Sequence, residues 1–309
     1  MKKILVIGSL NIDMVMNVKK MPVAGETIIA DQFSLIPGGK GANQACAIGK
    51  LGGDVTMLGA VGDDETGRIL TDNLADAGVD VSHIKREKDA RTGTAIITVN
   101  EEGNNSIIVI AGANHKVDKS YIDSKIDLIQ ASDIVIFQLE IPLETVVYAA
   151  QKAKEMGKYV ILDPAPARQD IPQELYSCLD LIKPNEIELG MLLGMDTNTK
   201  DDLEAQAIQL KSKGIDNVLV TMGGDGAFLA AENNEISRYP TMDVKVVDTT
   251  AAGDSFTAGV AVSLAKGEDL ASAIRFADKV ATIVVTRKGA QSSIPSSKEV
   301  EEFVKTGVL

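Results

Sequence analysis

Short apolar runs alternate with helix-patterned stretches along most of the chain. Residues 3–7, 55–60, 134–138, 159–163, 181–183 and 218–222 are apolar at consecutive positions and rich in Val and Ile. Continuous rather than alternating hydrophobicity predicts strands covered on both faces, the habit of parallel sheets. Between these runs, residues 42–51, 67–77, 143–156 and 201–213 read as helices, and 296–309 as a short terminal helix. Strand and helix in alternation predict a doubly wound α/β domain, which binds ligands beyond the carboxyl ends of its strands.

Two places break the rhythm. Residues 14–18 and 27–36 flank a turn containing Pro22 and Gly25, and residues 94–99 and 106–110 flank the hairpin turn Glu101-Glu102-Gly103-Asn104-Asn105. Neither pair has a helix between its strands, so neither is a βαβ unit. They predict a small separate β-sheet, from inserted segments 14–36 and 92–111 of a single domain spanning 1–309; an extension of the main sheet is the alternative. A sheet beside the ligand edge would form a lid, and its exposed strand faces would favour a homodimer.

Composition narrows the function classes. The 309 residues are 45% hydrophobic and 24% charged, enough to bury a large core. A formal charge of −13 argues against nucleic acid or an anionic membrane as partner. The two cysteines, Cys46 and Cys178, form no C-x-x-C pair, and the two histidines, His83 and His115, leave little material for a zinc site or a Ser-His-Asp triad. Lys2-Lys3 precedes an apolar run too short for a signal peptide, and no stretch reaches the roughly 20 apolar residues of a membrane span. The expected location is cytoplasmic.

The strongest chemical signal is Asp248-Thr249-Thr250-Ala251-Ala252-Gly253-Asp254, followed by helical spacing through Phe256, Val260 and Leu264. Small residues at a helix start expose backbone N–H groups that attract phosphate. A carboxylate in that first turn is placed to take a proton from an attacking hydroxyl. Ordinary capping by Asp254 is the plainer alternative.

A second segment, Pro37-Gly38-Gly39-Lys40-Gly41-Ala42-Asn43-Gln44, leads into a helix and allows close approach of backbone to a ligand. It is neither a Walker A loop nor a G-x-G-x-x-G turn. Asn11 and Asp13, after the first strand, are two apart and so face one way in extended chain, which suits sugar hydroxyls. Glu140 ends another apolar run. Asn185 and Glu188 stand three apart at a helix start, where capping is the alternative. Thr221-Met222-Gly223-Gly224-Asp225-Gly226 is a glycine-rich turn able to admit nucleotide, or a plain hairpin. The run 286–293 ends a long apolar helix with carbonyls and hydroxyls of the kind a hard cation uses.

Taken in order, these motifs closely resemble the ribokinase-like carbohydrate kinases over essentially the whole chain. The most specific are Gly-Gly-Lys-Gly-Ala-Asn at 38–43 and Ala-Ala-Gly-Asp at 251–254. The resemblance implies a Rossmann-like sheet with a small β-sheet lid and ATP-dependent phosphorylation of ribose at its 5-hydroxyl. Asp254 would be the general base, with Ala251, Ala252 and Gly253 as anion hole. Asn11, Asp13, Gly39, Lys40, Gly41, Ala42, Asn43 and Glu140 would hold the sugar. Asn185, Thr221 to Gly226, Gly253 and Asp278 would hold ATP, Asp278 standing where the family commonly carries Asn. Glu188 would assist Mg²⁺ indirectly. K⁺ would lie against Asp248, Thr250, Val284, Arg287, Gly289 and Ser293. A family kinase for fructose, deoxyribose or adenosine stays open, as does a non-catalytic sugar-binding protein; a nicotinamide oxidoreductase would need the missing G-x-G-x-x-G.

Overall fold

The computed structural model describes residues 1–195, 200–231, 233 and 235–307. The strands are β1 (Lys3–Ile7), β2 (Asn11–Asn17), β3 (Gln32–Gly38), β4 (Asp54–Leu58), β5 (Ala60–Gly62), β6 (Lys85–Glu87) and β7 (Gly93–Val99). They continue with β8 (Asn105–Ile110), β9 (Ile134–Phe137), β10 (Tyr159–Leu162), β11 (Leu181–Ile182), β12 (Asn217–Thr221), β13 (Ala227–Ala230) and β14 (Ile236–Tyr239). The helices are α1 (Lys40–Lys50), α2 (Glu65–Asp76), α3 (Lys119–Ser124), α4 (Ile126–Ala131), α5 (Leu143–Glu155) and α6 (Gln173–Tyr176). After them come α7 (Glu186–Leu193), α8 (Lys200–Lys211), α9 (Ala252–Ala265), α10 (Leu270–Val285) and α11 (Ser297–Thr306). The expected terminal helix thus stops at Thr306, and residues 308 and 309 lie outside the described residues.

The main sheet has eight strands in the order β14-β13-β12-β11-β10-β9-β1-β4. From β4 to β12 every pairing is parallel, while β13 and β14 add an antiparallel edge. Successive side chains of a strand point to opposite faces. Accordingly Ile4, Val6, Ile134 and Ile136 pack with α1, α9 and α10, while Leu5, Ile7, Val135 and Phe137 pack with α5, α7 and α8. Each such side chain contributes about 1.5–3 kcal/mol relative to exposure, which is why these runs read as continuous apolar stretches.

Chain direction sets the functional edge. From β1 the sheet grows one way to β4 and the other way to β9, so the order reverses there and opens a crevice at the carboxyl ends. Register places Ile7 beside Phe137, Phe137 beside Leu162 and Leu162 beside Ile182. The residues that follow, from Gly8, Gln138, Asp163 and Lys183 onward, therefore emerge side by side.

The small sheet is separate from the main one and runs β3-β2-β7-β8, with β2 and β7 parallel and the other pairs antiparallel. Its second strand starts at Gln32, later than residue 27, because β2 pairs Asn17 with Gln32 and leaves 18–31 as a connection. The run 55–60 divides at Gly59: β4 stays in the main sheet and β5 leaves it to pair with β6. Strands β13 and β14 fall outside the expected set: they form an antiparallel edge with no α-helix between β12, β13 and β14, so the strand–helix alternation does not mark them.

Candidate active site

Asp254 is the third residue of α9 and is buried, 6% exposed. Its Oδ2 accepts from Asn43 Nδ2 at 2.9 Å and its Oδ1 from Gln44 Nε2 at 3.1 Å. Both donors sit in the first turns of α1, so the Gly-rich segment and the Asp254 segment meet through side chains. Gln44 Nε2 also donates to Asp163 Oδ2 at 2.9 Å, and Gln44 Oε1 accepts from Gln138 Nε2 at 2.6 Å. Lys183 Nζ lies 3.5 Å from Asp163 Oδ2, both side chains being buried. Burial pushes the Asp254 carboxyl above the ordinary carboxylate range; the Lys40 ammonium opposes this, the Asp163 carboxylate adds to it, and the two amides oppose it again.

Ala251 precedes α9 with φ of 61°, the one non-glycine residue in the left-handed region among those described. Such a backbone costs on the order of 1–3 kcal/mol and marks a turn held by its surroundings. The Ala252 N–H donates to the Thr249 carbonyl at 3.2 Å, so it is engaged rather than bare. The amides of Gly253 and Asp254 meet no acceptor among the described residues. Two N–H groups at the positive end of a helix, with Lys183 Nζ nearby, make a setting for an anion.

The β1 and β9 ends join at Glu140, whose Oε2 accepts from Ser9 Oγ at 2.5 Å and from the Lys40 N–H at 3.0 Å. Asn11 and Asp13 open β2 and share one face, as two-residue spacing requires. Asn11 Oδ1 accepts from the buried Asn114 Nδ2 at 2.7 Å, which leaves the Asn11 amide as its free donor end. Burial pushes the Asp13 carboxyl up to about 7, and the Glu140 carboxylate adds to this. Burial tends to lower the Lys40 ammonium, but Asp254, Asp163, Glu140 and Glu188 together hold it above the ordinary lysine range. Asn11, Asp13, Lys40, Asn43, Glu140 and Asp254 are thereby gathered around one crevice.

Asn185 caps α7: its Oδ1 accepts from the Glu188 N–H at 2.8 Å, and Glu188 Oε2 accepts from the Asn185 N–H at 2.9 Å. Capping is therefore real there. The same residue also bridges to Thr221 in parallel fashion, which sets the 221–226 turn beside it. That turn is a hairpin between β12 and β13 as well as a glycine-rich loop. Gly223 and Gly224 face open space, whereas Gly226 backs onto the Tyr239–Thr241 strand end so closely that a Cβ would lie 2.1 Å from the Tyr239 carbonyl oxygen. Thr241 lies near Asp278 on α10; burial pushes the Asp278 carboxyl upward, and the Thr241 hydroxyl opposes this.

A distinct cluster lies at the carboxyl end of α10. Asp248 Oδ1 accepts from the Thr250 N–H at 2.9 Å and Oγ1 at 2.6 Å, and Oδ2 accepts from the Gly289 N–H at 2.9 Å. Burial alone would raise the Asp248 carboxyl; these bonds hold it below the ordinary range. The carboxylate thus ties the segment before α9 to the loop carrying Arg287, Gly289 and Ser293. Val284 lies in the last turn of α10, where its carbonyl accepts from the Arg287 N–H at 3.1 Å.

Ser9, Gln44, Asp163, Lys183 and Asn114 have no role that the sequence alone assigns. Gln44, Asp163 and Lys183 did carry a signal: each is polar, and each ends or follows a segment aimed at the crevice. Asn114, in the turn Gly112–Lys116, had none.

With this geometry in hand, comparison with known proteins assigns a class. Residues 1–297 match the model of the pfkB family carbohydrate kinases, and the chain belongs to that family. It is 41% identical to a ribokinase of Schizosaccharomyces pombe over 97% of each chain. It is 38% identical to a deoxyribokinase of Salmonella typhi over 97% of this chain and 98% of that one. The structure of Arabidopsis thaliana ribokinase complexed with ribose and ATP superposes with a TM-score of 0.93 at 34% identity, covering 98% of this chain and 99% of that one.

Proposed function

We propose that the chain transfers the γ-phosphoryl group of ATP to the 5-hydroxyl of D-ribose, giving ribose 5-phosphate and ADP, with Asp254 as general base. One observation carries the assignment of the base: a buried carboxylate in the first turn of α9, both oxygens gripped by amides of α1, beside unpaired N–H groups. The proton of the attacking hydroxyl passes to Asp254 as the oxygen bonds phosphorus, and the bond to the β-phosphate oxygen breaks with its electron pair leaving on ADP. The amides of Gly253 and Asp254, with Lys40 and Lys183, receive the negative charge of the transferring group.

The sugar is held by Asn11, Asp13, Glu140 and the backbone of Gly39, Lys40, Gly41, Ala42 and Asn43. The nucleotide lies along Asn185, the 221–226 turn, Gly253 and Asp278; burial raises the Asp278 carboxyl, which favours the neutral form, the one able to donate a hydrogen bond. Among the described residues no three His, Cys, Asp or Glu side chains are placed to hold a metal ion between them; Glu188 would assist a Mg²⁺ ion indirectly, through water. A single carboxylate, Asp248, with the oxygens that Thr250, Val284, Arg287, Gly289 and Ser293 would offer, suits K⁺ better than a divalent ion. Such an ion would fix the loop before α9.

The small sheet of β2, β3, β7 and β8, whose first strand starts at Asn11 rather than at residue 14, acts as the lid over the sugar, since β2 supplies Asn11 and Asp13. Its edge strand β8 is exposed at every residue, including Ile107, Ile108, Val109 and Ile110, which supports a homodimer formed through the lid. Among the described residues no helix is long and apolar enough to cross a membrane, and both cysteines are free and buried, in keeping with a reducing cytoplasmic setting.

The deoxyribokinase relative favours a second reading, in which 2-deoxyribose is the acceptor. A coupled ADP-release assay across ribose, 2-deoxyribose, fructose and adenosine, with and without potassium, separates them. The expected result is highest kcat/KM on ribose and a potassium requirement; equal or better turnover on fructose sinks the assignment.

Sugar affinity should also depend on pH. Only the ionised Asp13 accepts hydrogen bonds at both oxygens from sugar hydroxyls, and its carboxyl titrates at about 7. Raising the pH through that value therefore increases the binding form. Ribose is expected to bind about tenfold more tightly at pH 8 than at pH 6, measured by titration calorimetry, with Asp13→Asn weak and flat across the range.

A further inference from the structure

Asn43, which donates to Asp254 Oδ2, is itself held from behind. Its Oδ1 accepts from Gln291 Nε2 at 3.0 Å, and Gln291 Oε1 accepts from Asn73 Nδ2 on α2. The direction of this chain of amides is dictated by its inner end. An ionised carboxylate only accepts, so Asn43 must present its NH₂ to Asp254 and its oxygen to Gln291. Gln291 must then turn its own NH₂ inward, and its oxygen calls for a donor, which Asn73 supplies.

Gln291 is fixed on its backbone as well. Lys50 Nζ donates to the Gln291 carbonyl at 2.6 Å and to that of Ile294 at 3.3 Å. Asn43 and Lys50 are seven residues apart on α1 and so share a face, which lets one helix grip both the side chain and the main chain of Gln291. Gln291 is buried, 4% exposed. Behind it, a cleft of about 350 Å³ opens between α1, α2 and the 291–292 loop, lined in part by Asn73 and Gln291. Nothing in the packing alone requires a buried amide here, since an apolar side chain of the same length would fill the space without needing partners.

We propose that Gln291, backed by Asn73, is a positioning residue that locks the Asn43 amide in the orientation that donates to Asp254. This rests on Asp254 being the base. Without Gln291, Asn43 Oδ1 loses its buried donor, and its amide is free to rotate its oxygen toward the carboxylate. The groups facing Asp254 are Lys40, Asn43 and Gln44 from α1 and Asp163 after β10, which Lys183 partly neutralises. With the Asn43 donor lost, burial and Asp163 are opposed only by Lys40 and Gln44, and Asp254 binds its proton more tightly.

The test compares kcat against pH for the wild type, Asp254→Asn, Gln291→Met and Asn73→Leu, with melting temperatures for each. Gln291→Met is expected to lower kcat about tenfold, a loss of ~1.4 kcal/mol, and to move the acid limb of the profile to higher pH while KM for ATP stays within about twofold. Asn73→Leu, at the half-buried end, should move the limb the same way by less. A folded Gln291→Met enzyme whose acid limb superimposes on that of the wild type overturns the proposal. Should that variant fail to fold, Asn73→Leu decides by the same criterion, a superimposed limb overturning it. Activity surviving in Asp254→Asn would instead remove the base itself, whatever the Gln291 variants do.

Discussion

Asp254→Asn is expected to lower kcat by about 10³-fold or more, within the range of about 10²–10⁴ that a positioned base supplies together with the loss of the local charge. Ribose binding should change little, because the proposed sugar contacts Asn11, Asp13 and Glu140 lie on other elements. The fold should also survive. Replacing a fully enclosed carboxylate by an amide removes a desolvation cost, while one of the two donors, from Asn43 or Gln44, is left facing an NH₂ group. These effects oppose one another, so the melting temperature should move by only a few degrees. Steady-state ADP release and ribose calorimetry on the same preparation check both halves. Activity within about tenfold of the wild type, ~1.4 kcal/mol of transition-state stabilisation, means that Asp254 is not the base.

The second large effect falls on stability. Gly39 has φ of 89°, and a Cβ there would lie 2.6 Å from the backbone nitrogen of Asn11 and 3.1 Å from the carbonyl carbon of Leu10. Those are main-chain atoms at the entry to β2, where the proposed sugar contacts lie, so they cannot swing aside as a side chain would. Gly39→Ala should combine backbone strain of about 1–3 kcal/mol with overpacking of about 1–3 kcal/mol. The melting temperature is expected to fall by roughly 5–15 °C, with KM for ribose raised. Gly25→Ala is the control: Gly25 has φ of 83° but open space around it, so only the strain applies. Equal losses in the two variants would show that close packing at Gly39 contributes nothing.

Much of the architecture was legible from local pattern. The strand at Lys3–Ile7 matches its predicted bounds, and the other buried strands shift by a residue or two, because consecutive apolar positions admit little else. The separation of the small sheet also followed from the missing crossover helices. What local pattern could not foresee was the division at Gly59, where β5 turns away to pair with a strand more than twenty residues later. Pairing partners remote in sequence leave no trace in a short run of valines.

The site divides in the same way. Asp254 stood out because small residues and an acid at a helix start are a chemical statement in themselves. Gln44 and Gln291 carry no such statement: a glutamine early in a helix and another in a loop are ordinary polar residues until the fold sets both against α1 and α9. The sequence by itself determined the layered α/β class and the kind of chemistry, and it singled out Asp254 as the candidate base, since those depend on neighbours along the chain. Only the tertiary structure decided how that carboxylate is held: parallel register aligns four strand ends at one edge, and α1 turns two amides onto Asp254. Hydrogen-bond direction is set by atoms more than two hundred residues apart, and no local rule can carry that information.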